Sequence, residues 1–451
     1  MIIEVGNVKS KIKTDNPDLI EALKELYSFK IKGAEYTPGY KRGAWDGKKS
    51  FLTPKGVFRS GLLNRILADL SRMDCAPKIK KRDKPLDLCA SSDVVGKYTL
   101  RDYQKTLVEK AITDKRAIID SPTGSGKTII MAAIIQRLIG YKIVILFNTK
   151  QLVTQTYKFL KECGIPSLGI CYGGNYIYGD IMCCTVQSID KILDTHLEDS
   201  SALLVDECHE FCKGKTTIPA IQAFESATYR LGFTGTVPKD PIDLYTLEGA
   251  LGPSIKSVST KDLIEDGKLD KPIIQIIDNH PDELSEYMSY QEVYEDFVVN
   301  NESRNNIIKS IVTSIKSSKD DAKILILVER QDHSDNLKKL MPEAYFLAGD
   351  DDITLRYRII DMFVSDPKSS VLIGTRILQT GVNIEEISHF INARGFKSEI
   401  STLQALGRSL RRNREEVYVY DFKDGGVRWL SKHANERISA YKSEGHEVKI
   451  L

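Results

Sequence analysis

The chain has eight cysteines and no C-x-x-C pair among them, only two tryptophans in 451 residues, and no low-complexity tract. Nor does a histidine pair complete a zinc pattern. Cys183 and Cys184 are adjacent, a poor geometry for a structural disulfide. With Cys75, Cys89, Cys163, Cys171, Cys208 and Cys212 they read as free thiols of a reducing compartment. The longest apolar run near the middle, IIMAAII, has seven residues, against about 20 for a membrane span. The start, MIIEVGNVKSK, lacks the apolar stretch of a signal peptide. These absences predict a cytoplasmic protein with no membrane partner.

What is present describes a globular protein of two or three domains: 41% apolar and 28% charged residues over 451 positions. A net charge of +2 conceals an asymmetry. Residues 1–97 hold 20 Lys and Arg against 12 Asp and Glu, and the remainder holds 44 against 50. A basic front on a mildly acidic body suits an anionic partner, or is a solvated charged surface.

Residues 1–74 mix strand-like runs with a helical pattern opened by Asp15-Asn16-Pro17, and with a second from about Gly61 to Met73. The cationic, proline-bounded PKIKKRDKP, Pro77 to Pro85, reads as a linker. From about residue 100 apolar runs alternate with helical patterns. They are AIID, KIVILF, IMCCT, ALLVDE and RLGFTGT, and, after an irregular stretch at about 240–285, KILILVE, AYFLAG, SVLIGT, HFINAR and VYVYDF. Such alternation predicts two successive α/β units with parallel sheets. The expected division is 1–90, 91–255 and 256–451. The tail after Gly426 reads as a short helix with a packing role.

AIIDSPTGSGKTIIMAAIIQRLI is a buried strand, a glycine-rich loop and a helix, the setting that a phosphate-binding loop requires. Thr123, Gly124, Ser125 and Gly126 turn backbone N–H groups toward phosphates, and the helix N-terminus adds favourable partial charge. Lys127 reaches the β- and γ-phosphates, and Thr128 offers its hydroxyl to Mg²⁺. Ser121 stands where the signature has its first glycine. Further on, ALLVDECH ends a strand in Asp206-Glu207-Cys208-His209. Asp206 suits the outer shell of Mg²⁺, and Glu207 suits the base that activates water.

In this order the motifs resemble those of superfamily 2 helicases and translocases over about residues 98–425. That resemblance implies two tandem RecA-like lobes, ATP and Mg²⁺ as cofactors, and ATP hydrolysis coupled to movement on nucleic acid. LRDYQ implies adenine recognition by Gln104. NTKQLVTQ and TVQS imply strand tracking by Thr149, Lys150, Thr185 and Gln187. DECH is a DExH-type box. FTGT implies coupling by Thr234, Gly235 and Thr236, with His209 either a coupler to the box or a structural ring. GTRILQTGVNI implies strand contacts from Thr375 and Arg376 and nucleotide contacts from Gly381 and Asn383, where Asn383 replaces the usual Asp. QALGRSLRR matches Q-x-x-G-R-x-x-R. It implies coupling by Gln404 and arginine fingers at Arg408 and Arg411, across the cleft from Lys127, Thr128, Asp206 and Glu207.

The stretch YTPGYKRGAWDGKKSF crowds four cations among aromatics and glycines. Lys41, Arg42, Lys48 and Lys49 suit phosphates. Tyr40 and Trp45 suit stacking, or Trp45 is a core anchor with Gly43 and Gly47 at hairpin turns. With the following PKGVFRSGLL, this order resembles the small N-terminal α+β domain of phage UvsW-type recombination helicases. That resemblance implies branched or duplex DNA as partner, single-stranded DNA besides, branch migration as activity, and the host cytoplasm as location. Protein partners are not indicated. Three rival readings remain: an RNA helicase or duplex-DNA translocase, a nucleotide-gated binding or annealing module with little turnover, and a restriction motor, for which the chain shows no nuclease constellation.

Overall fold

Runs that are apolar at every position become strands buried on both faces, and helices cover those faces. In the computed structural model, residues 1–81, 85–212, 216–256, 258–279, 289–348, 351, 353–375, 387–395, 416–425 and 428–451 are described. The chain divides into two units, Met1–Ser121 with Gly126–Ser257, and Pro122–Ser125 with Val258–Leu451.

The first unit opens with a small α+β module. Strands β1 (Ile2–Val5), β2 (Lys9–Lys13), β3 (Val57–Arg59) and β4 (Lys78–Lys81) form a sheet in the order β3-β2-β1-β4. Helix α1 (Pro17–Leu26) starts as its sequence predicts, with the Asn16 side chain accepting from the Leu19 N–H. Helix α2 is Leu63–Arg72. Both pack Leu23, Ile66 and Leu70 into one core with Ile3, Ile12 and Phe58. The stretch read as a linker contributes β4, which pairs parallel to β1 from Ile2↔Lys78 to Val5↔Lys81. All four of its residues are exposed. It is an edge strand, and its lysines protect that edge from pairing with another chain.

An eight-stranded sheet follows. Its strands are β5 (Arg116–Asp120), β6 (Lys142–Phe147), β7 (Leu168–Tyr172), β8 (Asn175–Ile177), β9 (Ile181–Thr185), β10 (Ser200–Val205), β11 (Tyr229–Thr234) and β12 (Ser254–Lys256). The order is β8-β7-β9-β6-β10-β11-β5-β12, parallel except for the β7–β8 hairpin. Ile143, Ile145 and Phe147 enter one core and Val144 and Leu146 the other, so successive residues of β6 face opposite layers. Helices α3 (Asp102–Asp114), α4 (Lys127–Arg137), α5 (Lys150–Glu162) and α6 (Pro241–Leu251) belong to this lobe. The stretch read as irregular holds α6. Asp240 caps it by accepting from the N–H groups of Ile242 and Asp243.

The second unit has an all-parallel sheet of β13 (Lys271–Asn279), β14 (Lys323–Leu327), β15 (Tyr345–Leu347), β16 (Ser370–Gly374), β17 (His389–Asn392), β18 (Glu416–Asp424) and β19 (Val448–Ile450), in the order β15-β16-β14-β17-β18-β13-β19. Five of these are the runs read from the sequence; β13 and β19 were not. The tail helix Arg428–Ser443 is anchored through buried charge. Arg437 donates to Asp421 at 2.9 Å, and the Tyr441 hydroxyl donates to the same carboxylate at 2.9 Å. Arg304 and Asn279 both donate to Asp424, at 3.1 and 2.8 Å.

Candidate nucleotide and nucleic-acid sites

Strand β5 ends at Asp120, and α4 starts at Lys127. The loop between them turns on Gly124 and Gly126, both with φ +84°. A side chain at Gly126 would be strained by that backbone, and its Cβ would stand 2.5 Å from Gln104 Nε2. Gln104 is buried, and its Oε1 accepts from the Arg101 N–H at 2.9 Å. It therefore lies against the glycine-rich loop. The Lys127 ammonium donates to the Ser121 carbonyl at 3.1 Å. The Ser125 hydroxyl donates to the Pro122 carbonyl at 2.7 Å. Thr123 and Thr128 are half-buried.

Asp206 and Glu207 follow β10, two strands from β5 in the sheet. The Asp206 N–H donates to the Leu146 carbonyl at 3.0 Å. Glu207 has φ +44°, a left-handed conformation that a side chain adopts at a cost of about 1–2 kcal/mol. Its Oε2 is buried without a hydrogen-bond partner among the described residues, and His209 Nδ1 stands 3.6 Å away. His209 is buried, with Nδ1 2.9 Å from Thr234 Oγ1 and Nε2 3.1 Å from Glu210 Oε1. Thr234 is fully buried and its hydroxyl donates to the Thr236 carbonyl at 2.9 Å; Gly235 lies between them, half-buried. The acidic box and the FTGT segment are thus in direct contact.

Among the described residues no group of three or more His, Cys, Asp or Glu could hold a metal ion. Thr128 and Asp206 provide a hydroxyl and a carboxylate, to be completed by phosphate oxygens and water, which is the donor set Mg²⁺ takes beside a phosphate loop. The residues present fit that ion.

Of the strand-tracking residues, Thr149 caps α5 by accepting from the Leu152 N–H at 3.3 Å. Lys150 extends over the Gly173 turn, where a Cβ would stand 2.9 Å from its Nζ. Gln187 is exposed. Thr185 is buried and gives its hydroxyl to Ser188 at 3.1 Å. Thr375 is buried after β16. Arg376, Gly381, Asn383, Gln404, Arg408 and Arg411 lie outside the described residues.

In the basic stretch the four cations part company. Lys41, Arg42 and Lys48 are exposed. Lys49 is half-buried and donates to Thr246 Oγ1 of α6 at 2.8 Å, and burial pulls its ammonium below the ordinary value. That bond ties the module to the lobe. Trp45 is half-buried and donates Nε1–H to the Lys48 carbonyl at 2.9 Å. Tyr40 packs under Gly47, whose φ is +75°. Both rings brace the loop. The aromatic that stands out of it is Tyr36, 76% exposed, which sequence reasoning did not single out. Its only signal was its place among the cations. All eight cysteines are free. No helix among the described residues is long and apolar enough to cross a membrane.

Three family profiles match this chain: type III restriction enzyme, res subunit, over residues 97–239; helicase conserved C-terminal domain over 303–413; and DNA helicase UvsW, N-terminal, over 7–79. The chain is similar to the ATP-dependent DNA helicase uvsW of Enterobacteria phage T4, at 24% identity over 94% of this chain and 93% of the relative. It is also similar to the DNA 3'-5' translocase XPB2 of Sulfurisphaera tokodaii, at 22% identity over 83% and 92%. Among solved structures, Dbp5 of S. cerevisiae bound to RNA and ADP BeF3 shares the fold with TM-score 0.56 and 16% identity, over 78% of this chain and 94% of that one. These matches make the chain a superfamily 2 helicase, an ATP-hydrolysing enzyme that carries a UvsW-type module in front.

Proposed function

We propose that this enzyme remodels branched DNA, driving branch migration of forks and four-way junctions by ATP hydrolysis in the host cytoplasm. The observation that carries the motor part is the Glu207 carboxylate of the first lobe, strained and with a buried oxygen that accepts no hydrogen bond among the described residues. The substrate part rests on the UvsW-type front module and its exposed Lys41, Arg42 and Lys48.

In this reading residues 1–90 grip DNA, 91–255 bind the nucleotide, and 256–451 complete the motor. Lys127 and the N–H groups of residues 124–128 hold the β- and γ-phosphates. Thr128 and Asp206 would hold Mg²⁺, which when bound would supply charge neutralisation to the phosphates. Glu207 orients the attacking water and takes its proton. Arg408 and Arg411 neutralise charge on the transferring phosphoryl group. Loss of the γ-phosphate removes the contacts that favour one conformation over another, and that difference drives stepping. His209, through Thr234, passes the state of the acidic box to the coupling segment.

The test is ATPase rate and strand separation with equal nucleotide concentrations of four-way junction, linear duplex, single-stranded DNA and single-stranded RNA. Strongest stimulation and product release with the junction support the proposal. Preference for RNA, or no response to DNA, contradicts it.

A further inference from the structure

Helix α6 joins two cores. Ile242 and Tyr245 pack into the core of the front module, and Leu247, Ala250 and Leu251 into a core of the first lobe. Tyr245 is enclosed by Tyr27, Phe29 and Phe51 at 5.7, 4.7 and 5.6 Å between ring centroids. The Arg65 guanidinium lies 4.9 Å over the same ring.

The helix also carries one buried carboxylate. Glu248 is 3% exposed and takes a two-pronged ion pair from Arg65: Nη2 to Oε1 is 2.8 Å, and Nε meets Oε2. That pair raises the Arg65 guanidinium above its ordinary value. Planar two-point pairing fixes orientation as well as distance. Around it, Lys49 holds Thr246, Arg59 Nη1 donates to the Thr246 carbonyl at 3.4 Å, and Gly61 passes so close to the helix that a Cβ would stand 2.9 Å from the Gly249 carbonyl. A second anchor lies elsewhere. Asn7 Nδ2 donates to the Glu225 carbonyl at 3.0 Å, just before β11, and the Arg116 guanidinium donates to the Asn7 carbonyl. Two separate, partly buried polar anchors and a shared aromatic cluster remove the freedom of a tethered module.

The helix is also placed to matter for hydrolysis. It follows the Thr234–Thr236 segment by four residues and packs against Cys208–Cys212, the turn that carries His209.

From this geometry we infer that the front module and the first lobe move as one body, with Arg65 and Glu248 as positioning residues that hold the basic loop at a fixed place relative to the sheet of that lobe. The rigid docking stands on the contacts alone. Its consequence, that DNA held by the loop is carried with the nucleotide-binding lobe at each cycle, rests on the function proposed above.

The experiment places spectroscopic labels at positions 42 and 110 through unnatural amino acids, leaving the native cysteines in place. The distance distribution is measured in the full chain without nucleotide, with a non-hydrolysable ATP analogue and with ADP, all without DNA. One narrow distance common to the three states is expected. A distance that changes with nucleotide overturns the inference, whatever the substrate proves to be. Glu248→Gln should broaden the distribution. It should keep ATPase on single-stranded DNA within about twofold of the parent while junction product per ATP falls about fivefold or more. Arg65→Lys, which keeps charge but not the two-point pairing, should be intermediate. An unchanged distribution in Glu248→Gln also overturns the inference. A narrow distance with no junction activity in the parent leaves the docking standing and removes only the DNA consequence.

Discussion

His209 Nδ1 lies 2.9 Å from Thr234 Oγ1. This contact ties the turn after one strand to the end of its neighbour in the sheet, and in the proposed function it joins the box assigned to hydrolysis to the segment assigned to coupling. Both partners are buried, so removing the ring leaves the threonine hydroxyl without it. His209→Ala should lower ATPase by less than about tenfold but strand separation by well over tenfold, because catalysis and coupling are separate steps. Parallel loss of both activities would mean that the ring only supports the box.

Gly61 touches α6 through its backbone. Gly61→Ala puts a methyl group against the Glu248 and Gly249 carbonyls, with no flexible side-chain tip to give way. Overpacking of this kind costs about 1–3 kcal/mol. Hydrogen exchange over Leu63–Arg72 and over Pro241–Leu251 should quicken together. Protection unchanged in both helices would show that the backbone accommodates the methyl group freely.

Two lysines one residue apart should behave differently. Arg42→Ala with Lys48→Ala should weaken DNA binding and shallow its salt dependence by about 0.9 per lost phosphate contact. Lys49→Ala should leave that slope alone and loosen the module from the lobe, since its ammonium is given to Thr246. Salt titrations of junction binding in both variants separate the roles. Equal slopes for the two would place Lys49 on the DNA instead.

How much was legible in the sequence follows from the same residues. Strands such as KIVILF and KILIL announced themselves because both faces are buried and every position is apolar. The phosphate loop and the acidic box were legible because their chemistry needs fixed residue types at fixed spacing. Helix α6 was not. Its sequence, PIDLYTLEGAL, is buried from Thr246 to Leu251 on two sides, so it has no polar stripe for a helical period to reveal. The fate of Lys49 was hidden for a related reason: a cation among cations gives no sign of which one meets the protein. Nor could spacing show that Trp45 would brace its own loop through the Lys48 carbonyl.

In the second lobe His333 is buried, with Nε2 2.9 Å from Asn305 Oδ1, and burial pushes its imidazole down to about 3. The unfolded chain takes up this proton near its ordinary value, while the folded one does not until near pH 3. Stability from this residue is therefore full above about pH 6.5 and falls as pH drops toward 3, by up to about 1.4 kcal/mol per pH unit. Exchange protection of the Gln331–Leu340 helix between pH 7 and 5 should decline in the parent and decline less in His333→Gln. The same decline in both would assign the effect to other groups.

The most direct measurement follows a labelled four-way junction with homologous arms, incubated with ATP and Mg²⁺ and either the parent enzyme or Glu207→Gln. The account predicts conversion to branch-migrated products by the parent, none with a non-hydrolysable ATP analogue, and none by Glu207→Gln, which should still bind the junction while its ATPase falls by about 10²-fold or more. Junction conversion that survives in Glu207→Gln after hydrolysis is lost would contradict the account, because remodelling would then need nucleotide binding alone.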